Sequence, residues 1–370
     1  MILAFFSIII LFYALALLFA GKVWSELPQL IESGEIKSVS VLIPFRNEAE
    51  HLNILLESLT VLDYPSELLE IILVNDHSED EFRPIIESYE GVSSFKISII
   101  NLPPQLNGKK SAISAGIKHC QSEIVVTTDA DCVFPKDWIQ KMQAPFEISH
   151  IHMVSGSVVF TTHNFISMLF QMEFAPLIGV GAVSIELGNP TMANGANLAF
   201  RKSTFDELNP YEDNISIASG DDVFLLQKMK AKFPNGIFFQ KDAVVETKAP
   251  AGLKTFYQQR KRWAAKWRAN ASWTDSLPAL AIWSFHLLYV TAIIYSLISN
   301  EFLVLIPVIF FKIIAEGIFI SSILKSQEKR FKPEIFTILQ LFYSPYVLIF
   351  GLLANFGGYT WKKRTYNTHE

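Results

Sequence analysis

Between residues 38 and 133, short apolar runs alternate with segments of helical period, and few folds accommodate that order. SVSVLIP, ending at Pro44, and then LEIILVND, FKISIINL and SEIVVTTDAD read as buried strands. EAEHLNILLESLTVL, residues 79–91 and KKSAISAGIKHC, which opens just after Gly108, read as the intervening helices. Apolar strands each followed by a helix predict an α/β domain with a mainly parallel central sheet covered on both faces. A sheet of that kind takes its ligands beyond the carboxyl ends of its strands.

The last of those ends is TTDADC, residues 127–132. In an extended segment positions i and i+2 point the same way, so Asp129 and Asp131 are expected to face one small volume while Ala130 packs away from it. Two converging carboxylates repel unless a cation intervenes. A hard divalent ion with oxygen ligands removes that cost and leaves positions for phosphate oxygens. Aspartate is also common in turns, so the doublet alone does not separate a metal site from a turn.

The flanks have a different character. Half of the residues are hydrophobic and only 18% are charged, the balance expected when membrane spans are joined to a soluble domain. Residues 1–21 contain no formally charged side chain, and no basic segment precedes them as in a secretory signal, so an uncleaved transmembrane helix is expected. The α/β domain is assigned to residues 22–250 and a basic, aromatic interfacial segment to 251–276. Residues 277–358 are expected to form three transmembrane or membrane-embedded helices, with Pro345 bending the last, and 359–370 a polar tail. Lys312 and Glu316, four residues apart on one helix face, are expected to neutralise each other or to line a path. Charge bias favours a cytoplasmic α/β domain, although the same span count then puts Lys362, Lys363 and Arg364 outside. A net charge of −5 gives no support to nucleic-acid binding, and Cys120 and Cys132 suggest neither a disulfide scaffold nor a zinc site.

Two further segments are expected near the membrane surface. FISMLFQMEFAPLIGVGAVSIEL is apolar but interrupted by Glu173 and Glu186; it suits a segment resting on the bilayer or a buried domain helix. YQQRKRWAAKWRANASW carries Trp263 and Trp267 on one helix face, and six cationic side chains fall within 254–268. That mixture fits an interfacial helix, with tryptophans at headgroup depth and cations toward anionic lipid.

Seven elements in order, VLIPFRNEAEHL, VNDHSED, GKKSAISAG, TTDADC, MANGANLAFRKSTF, SGDDVFLL and QRKRW, resemble those of inverting family 2 nucleotide-sugar glycosyltransferases. The resemblance covers roughly residues 38–265. It extends particularly to membrane-anchored members related to ceramide glucosyltransferases and to cellulose or hyaluronan synthases, and it implies a GT-A type fold. Asn75 departs from the pattern, standing where the family usually has an aspartate. The resemblance implies that Asp76 contacts the donor nucleoside, that Pro44 and Glu48 hold it from the other side, and that Lys109 or Lys110 approaches the diphosphate or base. It gives Asp131 to a Mg2+ or Mn2+ ion and Asp129 to the same ion or the ribose. Asp222 becomes the base that deprotonates the acceptor, with Asp221 positioning. Gly195, Asn197 and Ala199 would lie beside the donor sugar and acceptor, and Gln259, Arg260, Arg262 and Trp263 would close over diphosphate and acceptor.

Simpler roles exist for several of these residues. Glu48 suits an ordinary N-terminal helix charge, Lys109 and Lys110 a solvated helix start, and the Asp221–Asp222 pair a helix cap. The expected reaction moves a sugar from a UDP-sugar to a lipid or lipid-linked glycan acceptor, with the enzyme in a bacterial inner membrane. A processive polysaccharide synthase and an inactive membrane nucleotide-binding protein are the alternative readings.

Overall fold

The computed structural model describes residues 1–29, 34–89, 91–215, 217, 220–270, 273–353, 359–361 and 364–366. Side chains are described for these residues except 264–276 and those beyond 353, so Lys266, Trp267, Arg268, Trp273, Lys362, Lys363 and the Arg364 side chain lie outside the described set.

In chain order the elements begin with α1 (Ile2–Glu26), β1 (Val39–Phe45), α2 (Ala49–Thr60), β2 (Leu69–Asn75), α3 (Phe82–Glu87) and β3 (Lys96–Asn101). There follow α4 (Lys109–Ile117), β4 (Ile124–Thr127), β5 (Cys132–Val133), α5 (Trp138–Gln143), β6 (Met153–Thr161) and α6 (Phe165–Glu186). Next come β7 (Leu198–Arg201), α7 (Lys202–Leu208), α8 (Asp221–Lys232), β8 (Ile237–Lys248) and α9 (Leu253–Asn270). The chain continues through α10 (Trp273–Ile298), α11 (Ile306–Ser326) and α12 (Pro333–Leu353) to a short antiparallel pair within the expected tail, β9 (Tyr359–Trp361) and β10 (Arg364–Tyr366).

The chain divides into two compact units. The first comprises residues 27–161 and 184–248 and is built on a sheet that, among the described residues, has eight strands in the order β3-β2-β1-β4-β7-β6-β8-β5. The expected α/β class holds. β3, β2, β1 and β4 run parallel in register, with Val39 opposite both Leu69 and Ile124. Every residue of β1 and β4 is buried, which is why these strands read as continuous apolar runs rather than as alternating ones. The sequence did not reveal that β7 runs antiparallel to both β4 and β6. This mixed pairing sets residues 196–201 beside residues 124–128, some seventy positions earlier.

The second unit comprises residues 1–26, 162–183 and 249–370. Among the described residues of the whole chain, five helices are long and apolar enough to cross a membrane: α1, α6, 277–298 within α10, 302–326 including α11, and α12. Lys312 and Glu316 form an ion pair at 2.8 Å. Tyr13 donates to Glu316 at 2.9 Å, and Gln340 accepts from Lys312 and donates to Glu316 at 2.9 and 2.6 Å, so four polar side chains satisfy one another. α12 continues through Pro345. α6 differs from the other four in that two thirds of its most apolar stretch is buried within the protein. Its Gly179 lies against Phe319 and Ile323 of α11, where an added Cβ would stand 2.7 Å from the Phe319 ring.

Candidate active site

The loops after β1 and β2 are knitted together before any ligand is considered. Arg46 Nη1 donates to the carbonyls of Asp76 and His77 at 2.8 and 3.0 Å. Asn47, with φ of 51°, accepts from the Glu79 amide through its side-chain oxygen and donates its own backbone N–H to Ser78 Oγ. Asp80 accepts the Ala49 amide at 2.7 Å and so satisfies a free donor at the start of α2. Pro44 is buried in β1 opposite Val74. Asp76 is also buried and accepts the Gly108 amide at 3.0 Å, which ties the β2 end to the start of α4. Asn75 donates to Asn101 and accepts from the Ser78 amide, using both halves of its side-chain amide. A carboxylate has no donor for the first of these bonds in that arrangement.

Glu48 is the N-cap residue of α2, and its side chain is held by His51, whose Nδ1 lies 2.6 Å from Glu48 Oε2. Lys248 Nζ donates to His51 Nε2 at 2.9 Å, so the neutral ring carries its proton on Nδ1 and donates it to Glu48. Burial, and then the Lys248 charge, hold the His51 pKa below its ordinary value. His51 and Lys248 were not singled out in the sequence, where nothing marks residues 197 positions apart as partners.

The acidic stretch differs in conformation from the extended one expected. β4 ends at Thr127, and Asp129, Ala130 and Asp131 form a tight turn in which the Cys132 amide donates to the Asp129 carbonyl at 3.3 Å. The strand argument for their common direction therefore fails, because the backbone turns before the second carboxylate. The two remain electrostatic neighbours all the same. Burial, reinforced by the charge of Asp129, pushes Asp131 up to about 6, against the pull of a hydrogen bond from Thr247. Both cysteines are free and buried.

Lys109 and Lys110 part company. Lys109 Nζ lies 2.8 Å from Asp129 Oδ1 and 3.0 Å from Asp221 Oδ2. Burial alone would lower its pKa, but Asp129 and Asp221, with Asp222 behind them, hold the ammonium above its ordinary value. Lys110 instead donates to the backbone and side-chain oxygens of Asn214 and lies 4.3 Å from the Phe224 ring centroid.

Asp221 and Asp222 open α8, directly after Gly220 in the left-handed region with φ of 95°. Both carboxylates are buried at a helix N-terminus, where the backbone dipole favours negative charge. Tyr211 donates to the Asp221 carbonyl at 3.2 Å and braces that turn. Gly195 faces the pair: a Cβ there would stand 2.8 Å from Asp221 Oδ2, 3.1 Å from Lys109 Nζ and 3.6 Å from Asp222 Cβ. Asn197 is fully buried, with Oδ1 accepting from Trp138 at 2.9 Å and Nδ2 donating to Ser157 and Ala243 carbonyls. Its side chain is thus spent on holding β7, β6 and β8 together.

In the second unit, Gln259, Arg260, Arg262 and Trp263 lie on α9. Arg260 is buried in a salt bridge with Glu173 of α6, and Trp263 packs against Phe174 at 5.7 Å between ring centroids.

Asp129 and Asp131 fit a hard divalent cation in donor chemistry, and Asp131 behaves as a buried carboxylate short of positive charge. Among the described residues no cluster of three or more His, Cys, Asp or Glu has metal-ligand geometry, so further coordination would fall to donor oxygens and water.

A mixed, largely parallel sheet with flanking helices, and with this acidic turn after its central strand, is of the GT-A type. Residues 40–208, a little under half of the chain, match the family model Glycosyl transferase family 2. The probable glycosyltransferase YdaM of Bacillus subtilis is 26% identical over 241 residues, 62% of this chain and 55% of that protein. The poly-β-1,6-N-acetyl-D-glucosamine synthase of Staphylococcus epidermidis is 27% identical over 236 residues, 63% and 55% respectively. The chain thus matches little more than half the length of these curated relatives. The solved mannosyltransferase PcManGT from Pyrobaculum calidifontis, in complex with GDP-Man and Mn2+, shares the fold with a TM-score of 0.58 at 15% identity, covering 96% of this chain and 97% of its own.

Proposed function

We propose that the protein transfers a sugar from a nucleotide-sugar donor, a UDP-sugar by the motif resemblance, to a lipid or lipid-linked glycan acceptor at the membrane. The observation that carries this reading is the convergence of Lys109, Asp129 and Asp221 beside Gly195, at the carboxyl end of β4 and the start of α8. Asp76 and Glu48 hold the nucleoside, each already oriented by hydrogen bonds from Gly108 and His51. Asp131 and Asp129 hold a Mg2+ or Mn2+ ion, which when bound neutralises charge developing on the leaving diphosphate. Lys109 is placed to share that charge. Asp222 takes the proton from the acceptor hydroxyl; the oxygen bonds to the anomeric carbon as the bond to the diphosphate breaks, and configuration inverts. Asp221 anchors Lys109 rather than taking the proton. We place the enzyme in a bacterial inner membrane with its catalytic domain on the cytoplasmic side.

Processive synthesis of a polysaccharide is the second reading, favoured by the similarity to the staphylococcal poly-N-acetylglucosamine synthase. Relation to ceramide glucosyltransferases or to cellulose synthases rests on the motifs alone. The test is nucleoside-diphosphate release by nanodisc-held protein across UDP-, GDP- and dTDP-sugars, with Mg2+ or Mn2+ and membrane lipid extract. Release that needs lipid and metal, and that is lost in Asp131→Asn and Asp222→Asn, is expected; mass analysis of the lipid product separates one sugar from a growing chain. No release by folded protein with any donor would favour the inactive nucleotide-binding protein.

A further inference from the structure

Arg260 belongs to the QRKRW element, which by resemblance faces diphosphate and acceptor, yet its side chain is fully engaged inside the second unit. All three guanidinium nitrogens have protein partners. Nε donates to Glu173 Oε1 at 3.1 Å, Nη2 donates to Glu173 Oε2, and Nη1 donates to Gln259 Oε1 at 2.9 Å. The guanidinium carbon lies 4.5 Å from the Phe256 ring centroid and 4.2 Å from that of Trp263. Glu173 in turn accepts the Tyr346 hydroxyl at 2.9 Å through Oε1. Arg260 is 5% exposed and Glu173 4%.

A buried ion pair is weak evidence for stability, since well-packed apolar side chains of similar size often serve as well. What a bidentate guanidinium–carboxylate pair supplies is direction: the planar fork fixes both the rotation and the height of one helix against another. Here it ties α9 to α6, and Tyr346 extends the tie to α12. Drawing Arg260 away to a phosphate would strand the Glu173 carboxylate in a buried place, which opposes the exchange. Meanwhile the same guanidinium stacks on Trp263 and holds the Gln259 amide.

We infer that Arg260 is a positioning residue and not a diphosphate ligand: with Glu173 and Tyr346 it forms a clasp that orients Gln259 and Trp263 on α9. The expected effect on turnover rests on the glycosyl-transfer reading, through the substrate roles of those two residues. The clasp itself does not.

The test uses the full chain in nanodiscs, with E173Q, R260Q, R260K and E173Q/R260Q. Three quantities are measured: UDP affinity in the presence of Mn2+, kcat with acceptor KM, and the thermal midpoint. Each single substitution should lower kcat by about tenfold or more while UDP affinity stays within about twofold, and the double variant should be no slower than the slower single. R260K should not restore kcat, because an ammonium makes neither the fork nor the ring stack. The inference is overturned if R260Q weakens UDP binding by about tenfold or more while E173Q leaves or strengthens it, or if the two kcat losses multiply. Should the singles fail to fold, E173M/R260M removes both charges together; it should bind UDP normally with lowered kcat, and full activity in it would also overturn the clasp. If the wild type turns over no donor, the glycosyl-transfer reading falls, and the thermal midpoints still decide the clasp. Strong non-additivity between the two positions supports it and additivity overturns it.

Discussion

Gly195 shows how little room the site leaves. Because a Cβ would crowd Asp221 Oδ2 at 2.8 Å and Lys109 Nζ at 3.1 Å, Gly195→Ala should force apart the pair that carries the functional reading. We expect kcat/KM to fall by about tenfold, roughly 1.4 kcal/mol of transition-state stabilisation, with a nearly unchanged thermal midpoint; steady-state kinetics and a melting curve check this, and full activity would mean that Lys109 and Asp221 need not stay together. Asp131 makes a pH-dependent prediction. Its pKa is raised from 3.8 to about 6, so the folded, metal-free protein holds this proton more tightly than the unfolded chain does. The stability contributed by protonation is therefore fully present below 3.8 and is lost as pH rises through about 6. A divalent ion competes with the same proton, so Mn2+ affinity should rise by about tenfold per pH unit below this pKa and level off above it. Calorimetric titration at several pH values measures the slope, and Asp131→Asn should abolish it. A slope unchanged in that variant would assign the pH dependence to another group.

Among the elements, α1 illustrates how an uncharged helix acquires a defined partner. Its apolar side chains Leu3 and Phe6 pack with Ala292 and Leu305, and Ile10 packs with Phe285 and Tyr289, but such contacts alone permit sliding. Tyr13 supplies direction by reaching Glu316, itself paired to Lys312 and Gln340. Glu316→Leu should leave the Lys312 ammonium buried without its counter-ion and cost about 3–5 kcal/mol, whereas Lys312→Leu with Glu316→Leu should recover most of that loss. Unfolding midpoints in one detergent distinguish the outcomes; equal losses in the single and double variants would show that the ion pair is not what penalises the single change. α8 makes a comparable point in the other unit. Its acidic start had a helix-cap reading beside the favoured catalytic one, and the fold puts both residues in the first turn but gives them different neighbours, Lys109 reaching Asp221 at 3.0 Å.

For the whole molecule, five helices long and apolar enough to cross a membrane, among the described residues, predict a protein that stays with membranes through an alkaline carbonate wash. Under the proposed topology, protease should reach the catalytic domain from the cytoplasmic face of inside-out vesicles and not in intact cells. Cleavage only in intact cells would reverse the orientation drawn from lysine and arginine bias.

The four strands β1 to β4, the helices between them, four of the five apolar helices as spans and the order of the acidic motifs were legible in the sequence, whereas the parallel pair β6 and β8 was not. Each legible feature is a local property: continuous apolar runs mark strands buried on both faces, period marks helices, and length marks a span. Local order could not decide that β7 turns antiparallel and carries Gly195 to Asp221, since pairing across some seventy residues depends on which partners meet. Nor could it separate Lys109 from Lys110, adjacent and identical in type, one reaching Asp129 and the other Asn214. Helix geometry points neighbouring side chains about 100° apart, so only the packed surroundings determine which of two lysines meets the carboxylates. The same reason hid the partner of Arg260: its motif was plain in sequence and Glu173 stood out in an apolar helix, but nothing local paired two residues 87 positions apart.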